Sequence, residues 1–193
     1  MGTRLKQLRS KDDVAPAKTP VGQADETEPN PALKALAERL PLWKRPGYLV
    51  RRLHQVHYAL FFEECADFGI TPVQYGLLTI LSTNPDTDQI TLANALGIDR
   101  TNVADVLARL EQRGLVSRTR SRSDRRMVLA RLTPEGERLV ESMHPAMARA
   151  QERLLETLDD DEREQFLATL MRLVEANNKF GRAPLAASKM DHT

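Results

Sequence analysis

The strongest local pattern in the chain is Leu92-Ala93-Asn94-Ala95-Leu96-Gly97-Ile98-Asp99-Arg100-Thr101, which runs on through Leu107 and Leu110 to Gly114-Leu115-Val116. Gly97 permits a tight turn between two helices, Ile98 can pack beneath it, and Asp99 or Thr101 can cap the helix that follows. Val103, Val106, Leu107 and Leu110 give this second helix one apolar face. Its other face carries Arg100, Thr101, Asn102, Ala104, Asp105, Ala108 and Arg109, polar or small side chains suited to the major groove of a DNA duplex. The stretch predicts a helix-turn-helix whose second helix is offered to nucleic acid, with Arg100, Thr101, Asn102, Asp105 and Arg109 as contact candidates.

Immediately downstream, residues 115–120 and 127–132 are short runs with partial alternation and β-branched residues, joined by Ser121-Arg122-Ser123-Asp124-Arg125-Arg126. This predicts a β-hairpin wing. Arg122, Arg125 and Arg126 at its tip can enter a minor groove beside the helix-bound major groove, where a narrow groove concentrates negative potential. From Arg100 to Arg131 there are nine arginines against three acids (Asp105, Glu111, Asp124), a net +6, while the rest of the chain carries −5. A charge run alone more often marks a solvated face. Here its position on a helix-turn-helix and a hairpin favours a polyanion, because planar guanidinium forks match phosphate.

Upstream, Thr71-Pro72 supplies a cap and a first-turn proline for a helix that turns Tyr75, Leu78 and Leu81 inward until Asn84-Pro85 breaks it. A short helix from about Asp88 to Leu96 follows. Before these, Leu49, Leu53, Val56 and Leu60 mark one face of a long helix over 46–68, preceded by a short one at 32–40. Downstream, Thr133-Pro134-Glu135 starts a helix to about Leu158 with a bend expected at His144-Pro145. Asp159, with Glu162 three residues on, starts a last helix bearing Phe166, Leu170, Leu173 and Val174, and its acidic first turn reads as a cap rather than a cation site. The expected fold is mainly α with a small β-hairpin wing. A winged helix-turn-helix at 71–133 is flanked by dimerisation helices at 31–70 and 134–180, a flexible arm at 1–30 and a flexible tail at 181–193. Apolar stripes on the terminal helices exceed what a small winged unit can bury. They imply a homodimer presenting two recognition helices to a pseudo-palindromic duplex.

Composition bounds what else the chain can be. It has 193 residues, 28 basic and 27 acidic, with 41% hydrophobic and 5% aromatic residues. No run approaches the roughly 20 apolar residues of a membrane span, and the N-terminal stretch lacks the apolar centre of a secretory signal, so a cytoplasmic location without a membrane partner is expected. The single cysteine, Cys65, excludes an internal disulfide and a zinc site built on two thiolates. No glycine-rich phosphate loop, Gly-x-Ser-x-Gly elbow or metal-ligand cluster is present, so neither an enzyme, a cofactor nor a metal is expected.

Three stretches together resemble the MarR family of winged helix-turn-helix regulators over about residues 46–178: Thr71-Pro72-Val73-Gln74-Tyr75-Gly76-Leu77-Leu78; the helix-turn-helix ending Leu110-Glu111-Gln112-Arg113-Gly114-Leu115-Val116; and Ser123-Asp124-Arg125-Arg126 followed by Leu132-Thr133-Pro134-Glu135-Gly136. The family's Asp-x-Arg wing signature matches Asp124 and Arg126. The resemblance implies that Arg126 reaches the minor groove while Asp124 orients an arginine. It also implies a homodimeric repressor on a palindromic operator, released by a small aromatic or phenolic acid, a related thioester or cysteine oxidation. The run 46–57, with 89–93 and 99–101, is similar to members governing degradation of aromatic acids, which points to an aromatic carboxylate or its coenzyme A thioester as effector. A urate or phenolic-compound sensor, a cysteine-based redox sensor, and a protein-interaction module without DNA binding are the alternatives.

An aromatic effector needs apolar walls and a donor between the dimerisation helices and the DNA-binding lobe. Trp43, His54, His57 and Phe61 are the candidates, weighed against a helix surface or dimer contact for the two histidines. Cys65 reads as a buried structural thiol, because Glu63 and Glu64 beside it disfavour the reactive thiolate.

Overall fold

Thr71 starts the helix around which the winged domain is built. Its hydroxyl accepts from the Gln74 N–H at 3.3 Å while the Gln74 carboxamide accepts from the Thr71 N–H at 2.9 Å, a reciprocal cap completed by Pro72 in the first turn. The structure is a computed structural model and describes residues 30–122, 124 and 126–181; the expected arm and tail, apart from Asn30 and Gly181, lie outside the described residues, as do Ser123 and Arg125. The elements are α1 (Pro31–Arg39), α2 (Pro46–Glu64), α3 (Pro72–Thr83), β1 (Thr87–Asp88), α4 (Gln89–Leu96), α5 (Arg100–Gln112), β2 (Val116–Arg120), β3 (Val128–Leu132), α6 (Pro134–Leu154) and α7 (Asp160–Asn177), with 3-10 turns at Pro41–Lys44, Ala66–Phe68 and Asn178–Phe180.

The core explains the order. Leu77, Leu78 and Leu81 of α3 meet Leu92 of α4, Val103, Leu107 and Leu110 of α5, and Met143 of α6, all with 1% or less of their surface exposed. The hairpin pairs β2 with β3 from Val116↔Leu132 to Arg120↔Val128, as the alternation predicts. A third strand was not legible. β1 adds to the far edge of β3 through Thr87↔Ala130 and Asp88↔Leu129, giving the antiparallel order β1-β3-β2. Two residues show no alternation, so only pairing with a distant partner reveals the strand.

Element ends also shift. The long second helix stops at Glu64, not Phe68, because a 3-10 turn leads to Gly69 in the left-handed region at φ 59°. α6 runs through Pro145 and closes at Leu154, about one turn short of the expected Leu158. Asp159 and Glu162 make the expected reciprocal cap on α7, at 2.8 and 3.0 Å.

α2 packs along α6, fastened where Glu64 accepts from Arg149 and from Arg153, each at 2.8 Å. Those bonds, Arg149's first, hold the Glu64 carboxyl below its ordinary range. Much of the apolar stripe on α2 is nonetheless exposed: Leu49, Leu53 and Val56 remain open to solvent, as do Leu167, Met171, Leu173 and Val174 on α7.

Candidate nucleic-acid interface

The turn before α5 is made by Gly97, whose φ of 65° is a conformation a side chain strains. Asp99 takes the cap position of α5, although its carboxylate does not bond the first turn. Val103, Leu107 and Leu110 anchor the helix, and this leaves Thr101, Asn102, Asp105 and Arg109 exposed along its length and Arg100 exposed at its first position.

The wing tip is organised by Asp124. Its carboxylate accepts from the backbone N–H of Arg126 at 2.9 Å, its own N–H donates to the Ser121 hydroxyl at 3.3 Å, and its carbonyl accepts from the Met127 N–H. Among these bonds the carboxylate acts on the backbone of Arg126, shaping the turn from which that side chain projects. Arg122, Asp124 and Arg126 are exposed, whereas the fourth tip candidate, Arg125, lies outside the described residues.

Folding sorts the arginine block into two groups. Arg118 binds the Glu111 carboxylate through Nε at 2.8 Å and through a second guanidinium nitrogen, which holds Glu111 below its ordinary value. Arg131 binds Asp86 in the same two-pronged way, with Nε at 2.7 Å. Arg113 donates to the carbonyls of Gly69 and Phe68 at 2.7 and 3.3 Å, tying the α5 end to the turn before α3. These three hold the fold together. Arg100, Arg109, Arg120, Arg122 and Arg126 are exposed on α5 and the wing. Arg100 and Arg126 line one recess of about 210 Å³ with Asp88, Gln89, Ile90, Met127 and Val128, which brings the helix and the hairpin together, while Arg120 and Arg122 line a second recess with Asp86 and Arg131.

Comparison with known proteins agrees with this architecture. The MarR family model matches residues 70–128. The crystal structure of the PcaV transcriptional regulator from Streptomyces coelicolor, in complex with its natural ligand, superposes with a TM-score of 0.66 at 36% identity, over 70% of this chain and 95% of that one. The chain belongs to the MarR family. It has the family's DNA-binding winged-helix fold, and its relatives are transcriptional regulators. The transcriptional repressor CouR, bound to a 23-mer DNA duplex, aligns at 35% identity and a TM-score of 0.66, over 69% of this chain and 94% of that one. Bordetella bronchiseptica BpsR, whose DNA binding is regulated by 6-hydroxynicotinic acid, aligns at 31% identity and a TM-score of 0.63, over 66% of this chain and 96% of that one. No helix among the described residues is long and apolar enough to cross a membrane.

Of the effector candidates of this MarR-family chain, His54, His57 and Phe61 are joined by ring contacts through Tyr58 and Phe62, whereas Trp43 pairs with Tyr48. His54 and His57 both lie against Tyr58, with ring centroids 4.5 and 6.0 Å away, and Tyr58 continues to Phe62 at 6.2 Å. Burial, then the charge of His54, pushes His57 below its ordinary value, so its neutral ring is favoured. Phe61 is fully buried, at 6.3 Å from Tyr75, and Trp43 packs edge-on to Tyr48 at 5.6 Å. Tyr58 and Tyr75 complete this aromatic run; Tyr75 packs against the core, in line with its expected inward face, whereas Tyr58 was missed in the sequence although it stands one helical turn after His54. A mainly apolar cavity of about 400 Å³ at the junction of α2, α7 and the Gly97 turn is lined by Val50, Leu170, Leu173 and Val174 and by none of the four candidates.

Cys65 is 1% exposed, with Sγ 3.7 Å from the Met147 Sδ. Burial, reinforced by Glu64, pushes its thiol up, as expected for a structural cysteine. Native protein should react with a disulfide thiol reagent at least about tenfold more slowly than protein unfolded in urea. Equal rates in the two states would show that the thiol is accessible and reopen a redox role.

Proposed function

We propose that the chain is a ligand-released repressor that binds a pseudo-palindromic operator as a homodimer, with an aromatic carboxylate or its coenzyme A thioester as effector. The observation that carries the reading is the convergence of Arg100 on α5 and Arg126 on the wing at one recess. In this reading Arg100, Thr101, Asn102, Asp105 and Arg109 meet base edges and backbone in the major groove, and Arg122, Arg125 and Arg126 enter the minor groove. CouR on its duplex supports a repressor, and BpsR with 6-hydroxynicotinic acid supports an aromatic acid as the signal.

Residues 31–70 and 134–180 then serve as the dimerisation helices. The exposed apolar residues of α2 and α7 are the surface a second copy would cover, removing them from water. The aromatic run around His54, His57, Tyr58 and Phe61, with Trp43 at the N-terminal end, is the proposed effector region. Ligand there would favour a dimer whose recognition helices no longer match half-sites about one helical turn apart, and operator DNA would weaken ligand binding by the same factor.

The test is a fluorescence-anisotropy titration on the DNA upstream of the chain's own gene, with and without aromatic acids and their coenzyme A thioesters. Tight, salt-sensitive binding released by one compound is the expected result. Binding that no compound relieves would remove the effector assignment. Absence of affinity for any duplex at low salt would favour the protein-interaction module instead.

A further inference from the structure

The recess shared by α4, α5 and the wing holds two side chains that neither the core nor the arginine surface accounts for. Ile90, at the second position of α4, is 47% exposed, and Met127, where the wing returns to β3, is 39% exposed. Both line the recess that Arg100 and Arg126 also line, with half-buried Val128 beside them. An apolar patch within a charged surface marks a contact site, because water is displaced from it at no polar cost.

Geometry restricts the occupant. A helix in a major groove and a wing in the adjacent minor groove are separated by one sugar-phosphate strand, and the recess lies between the start of the recognition helix and the wing. Taking the duplex as the partner, as proposed above, we infer that this recess is a strand-binding cleft: Arg100 takes a phosphate, Arg126 passes along the cleft into the minor groove, and Ile90 and Met127 pack on the deoxyribose between them. Asp88 also lines the recess. Its carboxylate accepts from the Ile90 and Thr91 N–H groups at 2.8 and 3.2 Å and from the Thr91 hydroxyl at 2.7 Å, so it is turned into the cap of α4. Gln89 adds a neutral amide that can donate to a phosphate oxygen.

A sugar contact is apolar and independent of base sequence, and it releases no counterions. Ile90→Ala and Met127→Ala should each weaken binding about three- to tenfold, both on the upstream duplex and on an unrelated duplex at low salt, with the dependence on salt concentration unchanged. Arg100→Ala and Arg126→Ala, measured beside them, should weaken binding and flatten the salt dependence. Both apolar side chains are exposed, so thermal melting should be unaltered in their variants. Unchanged affinity in the apolar variants, while the arginine variants lose affinity, would overturn the cleft and leave the DNA-binding reading standing. A flattened salt dependence in the apolar variants would also overturn it, since Ile90 and Met127 would then act only by placing the arginines. A loss confined to the upstream duplex, and abolished when its thymines are replaced by uracils, would replace the sugar contact by a thymine-methyl contact. No effect from any of the four variants would overturn the cleft and the operator-binding reading together.

Discussion

Replacing Arg126 by alanine should weaken binding to the upstream DNA by about 1–3 kcal/mol, or about 5- to 150-fold, and reduce the slope of log affinity against log salt by about one. The reason is positional. The Asp124 carboxylate holds the backbone N–H of Arg126 at 2.9 Å, so the guanidinium projects from a formed turn and gives up little backbone freedom on binding. It also lines the same recess as Arg100, so in the proposed reading one duplex would be gripped from helix and wing. Arg118→Ala is the matched control. It removes the same charge, but from a guanidinium bound to Glu111, and Glu111 is then left without that partner. That variant should change the salt slope far less than Arg126→Ala. Anisotropy titrations at several salt concentrations check both, and an Arg126→Ala protein with unchanged affinity and slope would remove the wing from the interface.

Gly136→Ala should destabilise the protein by about 2–4 kcal/mol, from overpacking against backbone that cannot retreat. A Cβ built on Gly136 would stand 2.1 Å from the Leu115 carbonyl oxygen and 3.1 Å from its carbonyl carbon. The same oxygen accepts from the Thr133 N–H at 3.1 Å. The Thr133 hydroxyl in turn accepts from the Gly136 N–H at 3.1 Å and donates to the Gly114 carbonyl at 2.6 Å. Withdrawing α6 to make room breaks this junction between the start of α6 and the corner where α5 enters β2. Thermal unfolding should show a lower midpoint, and DNA affinity should fall as well because the wing is seated on that corner. A midpoint equal to that of the unaltered chain would mean that the α6 start is not closely packed on Leu115.

Much of this architecture was legible because its signals are local. Gly97 between two apolar-periodic segments, the cap at Thr71-Pro72 and the alternating runs on either side of 121–126 act within a few residues of one another. Each is present in the structure at about the expected place. The exposed face of α5 was legible for the same reason, since the 3.6-residue period that turns Val103, Leu107 and Leu110 inward leaves Asn102, Asp105 and Arg109 outside, while Arg100, in register with the buried face, is exposed because it opens the helix.

What could not be read depends on residues far apart in the chain. The two-residue strand β1 exists only because Ala130 and Leu129 arrive beside it. Nine arginines look alike in sequence. Three are turned to holding the fold, by Glu111 seven positions away and by Asp86, Gly69 and Phe68 more than forty away, and charge counting cannot see those partners. The burial of Phe61 against Tyr75, the exposure of Ile90 and Met127 in one basic recess, and the open stripes on α2 and α7 likewise follow from how helices pack. Hydrophobic periodicity specifies which side of an element seeks cover, while the supply of that cover is set by the rest of the chain, and on α2 and α7 much of the apolar stripe stays exposed, the surface the proposed second copy would cover.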